Sequence, residues 1–150
     1  LTPVQLEVEK QSVKLAIETW SGHWRGRNAE AYLGFYAPEF QQETWQNINN
    51  KSKINKRNLG LFSEYKKQLF TQKTFIQVGI EALTIYRYPS EKSGDWMYWV
   101  SFKQNYQSQD YHGSSKKEQL WRRLPSGQWQ IIYEIVNMPQ DMVCDGSCDI

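Results

Sequence analysis

In Trp96-Met97-Tyr98-Trp99-Val100-Ser101-Phe102-Lys103-Gln104-Asn105-Tyr106, side chains of two kinds alternate. Trp96, Tyr98, Val100, Phe102, Gln104 and Tyr106 share one face of an extended chain; Met97, Trp99, Ser101, Lys103 and Asn105 share the other. The first face is aromatic and aliphatic apart from Gln104, so it must be covered. A buried amide without hydrogen-bond partners costs about 1–3 kcal/mol. Gln104 therefore either faces a pocket and presents its amide to a ligand, or caps neighbouring backbone near a rim. Downstream, Tyr111-His112-Gly113 reads as a turn, 115–124 as a strand, Pro125-Ser126-Gly127 as a tight turn and 128–136 as the last strand. Upstream, Gly94-Asp95 turns the chain after a long strand over 75–88. There Ile76, Val78, Ile80 and Ala82 alternate, but Leu83 and Ile85 fall on the other parity, which predicts a bulge or sharp bend.

The first half reads as helical. Val13, Ile17, Trp20 and Trp24 recur at steps of four, three and four, and Ala16 widens the stripe. Gly22 and Gly26 weaken its end. Asn28 is a fitting N-cap for a second helix over 29–36, which Pro38 stops. Residues 39–52, rich in Gln and Asn, read as a loop. A third helix is expected over about 53–70, with Leu61, Tyr65 and Leu69 four apart and Phe62 beside them. Three helices followed by about four antiparallel strands define an α+β domain. The helices are the available cover for the apolar face of the sheet.

The 150 residues fit one domain, expected over 1–138 with a tail over 139–150. Seven Trp, nine Tyr and six Phe read first as a core filled with aromatics, and also suit pockets and interfaces. The net charge is +2. Its basic residues form two groups, Lys51, Lys53, Lys56 and Arg57, then Lys116, Lys117, Arg122 and Arg123, without the continuous stripe of a nucleic-acid binder. No apolar run approaches the roughly 18 residues of a membrane span. Leu1-Thr2-Pro3 reads as a mature end or a cut into a longer chain, which leaves the compartment open. Cys144 and Cys148, in an acidic tail, are candidates for a local disulfide or for free thiols. His23 and His112 stand alone, so no metal site and no cofactor are expected.

Several segments together are similar to one known family. A helix carrying Trp20 and Trp24 is followed by Ala31-Tyr32-Leu33-Gly34-Phe35-Tyr36-Ala37-Pro38-Glu39-Phe40. Tyr65-Lys66-Lys67 precedes a strand ending Ile85-Tyr86-Arg87-Tyr88-Pro89. Then come Val100 to Ser108, Lys117-Glu118-Gln119-Leu120-Trp121-Arg122-Arg123, and Gly127 to Glu134. In this order they resemble the nuclear transport factor 2-like (cystatin-like, SnoaL-like) superfamily, and within it the accessory domains beside L,D-transpeptidase or carboxypeptidase domains of bacterial cell-wall enzymes. The resemblance spans about 10–135. It implies a curved sheet wrapped around helices as a cone with a pocket, and a periplasmic or secreted bacterial setting. The nucleophilic Cys motif of the partner transpeptidase domain has no match here.

The expected pocket residues are Trp24, Tyr32, Tyr36, Gln104, Tyr106, Lys117, Trp121 and Glu134. Lys117, Gln119, Trp121 and Arg123 share a strand face, where Lys117 either binds a carboxylate or ends the strand in solvent. Glu134 is placed to pair with Lys117 across the sheet, for structure or for function. No catalytic residue is assigned. Three functions stay open. One is a binding module whose partner is a cell-wall fragment or small molecule, or a catalytic domain that it positions. The second is a SnoaL-like isomerase, cyclase or hydrolase with a pocket carboxylate, for which Glu39, Glu43 and Glu134 are the candidates. The third is a dimerisation domain using the sheet face of Met97 and Trp99.

Overall fold

The computed structural model describes residues 1–90 and 96–139. Helix α1 runs Pro3–Arg25. Thr2 caps it: its hydroxyl accepts from the Gln5 backbone N–H, and the Gln5 side chain accepts from the Thr2 N–H. Its buried side holds the expected Val13, Ala16, Ile17, Trp20 and Trp24, together with Glu9 and Ser21. Helix α2 is only Ala29–Leu33, capped by Asn28, whose side chain accepts from the Ala31 N–H. It does not reach Tyr36, because the chain is already extended there.

Strand β1, Tyr36–Ile48, occupies most of the stretch expected to be loop. Pro38 does not end a helix; it sits inside β1 where the pairing with the last strand is irregular, between Tyr36 and Gln41. A residue without an N–H is tolerated at such a break in the ladder. Asn49 and Asn50, both at positive φ (53° and 61°), turn the chain into β2, Lys51–Asn58. Two left-handed residues in a two-residue loop match the twist of a hairpin, and Asn accepts that conformation. The expected third helix thus begins late: α3 is Leu59–Gln72, capped by Asn58, whose side chain accepts from the Leu61 N–H. β2 is the sheet edge, and its exposed Lys51, Lys53 and Lys56 discourage pairing with another chain.

The remaining strands are β3 Ile76–Arg87, β4 Trp96–Ser108, β5 His112–Arg123 and β6 Trp129–Asn137. The parity switch in β3 is a register shift between Glu81 and Thr84, with Ala82 at φ 53°. His112 and Gly113 are not a turn; they open β5, paired with Gln107 and Tyr106. The expected turn at Gly94-Asp95, and Cys144 and Cys148 of the tail, lie outside the described residues.

The sheet has six strands, within the expectation of four or more, in the order β2-β1-β6-β5-β4-β3. β1 and β6 pair in parallel; the other neighbours are antiparallel. The helices cover one face of this curved, mostly antiparallel sheet, and the core between them is aromatic. Trp20 is stacked against Tyr32 at 5.9 Å and meets Trp121 edge-on at 6.2 Å; Phe40 and Phe62 lie 4.9 Å apart beside Tyr36. Among the described residues no helix is long and apolar enough to cross a membrane.

Candidate functional site

The β4 face that began as an alternating pattern points into this core: Val100, Phe102, Gln104 and Tyr106 are all buried. Register then places the next strands. Phe102 faces Lys117 on β5, and Gln119 faces Glu134 on β6. β1 lies on the far side of β6, with Gln42 opposite Glu134. Three adjacent strands therefore bring Gln42, Glu134, Gln119 and Lys117 side by side on the inner face. Trp24 of α1 and Lys66 of α3 close over them. All eight expected pocket residues are buried, none more than 5% exposed.

Glu134 is the centre. Its Oε2 accepts from the Gln42 amide at 2.7 Å and its Oε1 from the Gln119 amide at 2.6 Å. The Gln119 carbonyl oxygen in turn accepts from the Trp121 indole at 2.9 Å. The Lys117 ammonium lies 3.6 Å from Glu134 Oε1, both side chains being fully buried. Burial alone would raise the Glu134 carboxyl, but Lys117, the two amides and Lys66 outweigh it and hold the group below the usual carboxylate value. Burial pushes the Lys117 ammonium down, against the pull of Glu134.

Aromatic rings wall the pair in. Lys117 Nζ sits 4.4 Å from the centre of the Trp24 ring and Lys66 Nζ 4.1 Å from it, both within cation–π range. A second chain of hydrogen bonds borders the site. The Trp20 indole donates to the Tyr36 hydroxyl at 3.0 Å, and Tyr36 donates to the Tyr32 hydroxyl at 2.8 Å. Burial first, and then nearby negative charge, raise both phenols well above their ordinary value, so they remain neutral donors.

Three buried polar atoms here have no hydrogen-bond partner among the described residues: Trp24 Nε1, Gln104 Oε1 and Lys117 Nζ. Two are donors and one an acceptor. Gln104 also borders a crevice too narrow to admit a water molecule, shared with Tyr106, Tyr111, Ser115 and Met138. A wider trough of ≈ 420 Å³ is set by Gln77, Asn105, Gln107, His112 and Ser114, but no carboxylate or ammonium lines it. The charged chemistry is on the inner face.

Lys66 and Gln42 were not foreseen. Lys66 shares the buried face of α3 with Phe62, Leu69 and Phe70, a spacing readable in the sequence. Gln42 was hidden by the loop reading of its strand. Of the other carboxylates, Glu39 is exposed and paired with Arg122 at 2.7 Å. Glu43 is on the outer face, where it accepts from Tyr133 and lies 3.6 Å from Lys56.

A curved sheet covered by helices, with a buried polar cluster on its inner face, defines a cone-shaped α+β domain of the nuclear transport factor 2-like (NTF2-like) kind. Residues 12–135 match the family described as the Cds6 C-terminal NTF2-like domain, and the chain belongs to that family. No curated protein matches it in sequence. Among solved structures it is similar to a mutant of the helical cell shape determining protein Pgp2 from Campylobacter jejuni, with 23% identity, a TM-score of 0.63, 79% of this chain covered and 37% of that one. It is also similar to Bd1075 of Bdellovibrio bacteriovorus, with 18% identity, a TM-score of 0.70 and coverages of 91% and 42%. An NTF2-like protein of unknown function from Pseudomonas putida, 18% identical with a TM-score of 0.66, matches over 91% of this chain and 90% of its own. The chain thus spans about two fifths of the first two proteins, and at these identities the likeness shows the fold alone.

Proposed function

We propose that this chain is a non-catalytic binding domain of the bacterial cell envelope, periplasmic or secreted, which holds a cell-wall peptide or glycan fragment for a partner enzyme. One observation carries the reading: Gln104 Oε1 and Trp24 Nε1 are buried without hydrogen-bond partners among the described residues, and Lys117 Nζ has only its 3.6 Å ion pair with Glu134. Buried polar groups are normally satisfied, and each exception asks for a reason. A carboxylate reaching this cluster would satisfy Lys117, the neighbouring amide or hydroxyl would meet Gln104, and the aromatic walls would pack against sugar or peptide carbon. The role of the Campylobacter protein in determining helical cell shape fits such a ligand.

Glu134 suits a general base poorly. Both of its oxygens already accept hydrogen bonds, and its proton affinity is lowered rather than raised. That favours binding over proton abstraction. Isothermal titration with defined muropeptides tests the reading. Gln104→Ala and Trp121→Ala are each expected to weaken binding by about tenfold, a loss of roughly 1.4 kcal/mol. Wild-type affinity in both variants would show that the ligand does not use this cluster.

A further inference from the structure

Helix α1 carries two apolar stripes, and the core uses one of them. Val13, Ala16, Ile17, Trp20 and Trp24 face inward. Val4, Val8 and Leu15 are 74%, 59% and 64% exposed. With Gln11 they recur at steps of three and four, the a/d spacing of a helix seam. At 3.6 residues per turn this second stripe lies roughly 150° round the helix from the first. Val4, Glu7, Val8 and Gln11 stand at i, i+3, i+4 and i+7 and surround a shallow depression of ≈ 500 Å³, with Pro3 at its end. Four side chains so arranged form the hole that receives a knob from a facing helix.

We propose that this stripe is the seam of an antiparallel helix pair between two copies of the chain. The flanking charges select that occupant. Glu7 and Lys14 each immediately precede a seam residue, Val8 and Leu15. In an antiparallel pair, side chains at that flanking position meet their counterparts on the other helix. Setting Val8 against Gln11 of the second copy, and Leu15 against Val4, also sets Glu7 against Lys14. The two-fold axis makes that contact twice. A parallel pair would instead place Glu7 against Ser12 and Lys14 against Thr19, with no opposite charges. In the single chain Glu7 accepts from the Gln11 amide at 2.9 Å, a surface contact that can be exchanged. The seam is short, so the dimer is weak, with a dissociation constant on the order of 100 µM.

Sedimentation equilibrium of the 150-residue chain, from about 10 µM to about 1 mM, spans that range. The wild type is expected to dimerise and Leu15→Lys to stay monomeric. Glu7→Lys and Lys14→Glu each turn two attractive contacts into two repulsive ones, which is expected to weaken the dimer roughly fivefold. The double exchange Glu7→Lys with Lys14→Glu restores the pairing, and with it the wild-type constant; a contact with an unrelated partner would gain nothing from it. These side chains are outside the core, so circular dichroism and the thermal midpoint should not change. A wild type that stays monomeric throughout would overturn the proposal. So would a dimer indifferent to Leu15→Lys, or a double exchange as weak as the single ones.

Discussion

Glu134→Gln isolates the charge at the centre of the buried cluster. At 3.6 Å from Lys117, and with an effective dielectric of about 20, the lost attraction is roughly 4–5 kcal/mol. Removing one partner of a buried ion pair typically costs about 3–5 kcal/mol, because the other charge is left without compensation. A glutamine also offers only one acceptor to the two amide donors that Glu134 satisfies. Lys117→Met should cost less, about 2–3 kcal/mol, since the carboxylate keeps both amides and Lys66 still favours its charge. The double variant should be more stable than the two losses summed, by at least about 2 kcal/mol, as expected of residues in contact. Urea unfolding followed by tryptophan fluorescence measures all four proteins. Losses that add to within about 0.5 kcal/mol would refute the coupling, and with it the view that these residues form one unit.

Other expected outcomes concern single residues. The Tyr133 hydroxyl holds the partly buried Glu43 carboxyl below its usual value, so this carboxylate contributes stability at neutral pH that is lost as pH falls through its folded-state pKa. Tyr133→Phe should therefore lower stability by about 1 kcal/mol at pH 7 and by less in acid; an equal deficit at both would contradict this. Ala82 sits at φ 53° in the β3 bulge, and Ala82→Gly should raise stability by about 0.5–1 kcal/mol in urea unfolding. Gly127, at φ 94° in the turn before β6, should lose at least about 1 kcal/mol on replacement by Ala, measured in the same way.

What the sequence revealed follows from what each element buries. The second half, where inward positions are apolar, was readable almost strand by strand, and the break in parity at Leu83 located the β3 bulge. β1 was missed because its inward positions beyond Phe40 are Gln42, Thr44 and Gln46, which carry no hydrophobic period. Gln42 is polar there because its amide donates to the buried Glu134 carboxylate. β2 was missed for the opposite reason, as an edge strand of Lys, Asn and Arg buries almost nothing. The eight residues expected to line a pocket are all buried, and the Lys117–Glu134 pair forms across the sheet. What one-dimensional reading lacked was the saturation of Glu134, which depends on the parallel β1–β6 pairing between segments far apart in the chain.

Titrating the isotopically labelled chain with a muropeptide that ends in a free carboxylate puts the inner-face cluster to the most direct test. Binding there should move the indole signals of Trp24 and Trp121 and the side-chain amide of Gln104 together, and Lys117→Met should abolish these shifts. Signals that stay still, or shifts confined to the outer-face trough around Asn105 and His112, would contradict a recognition role for Lys117.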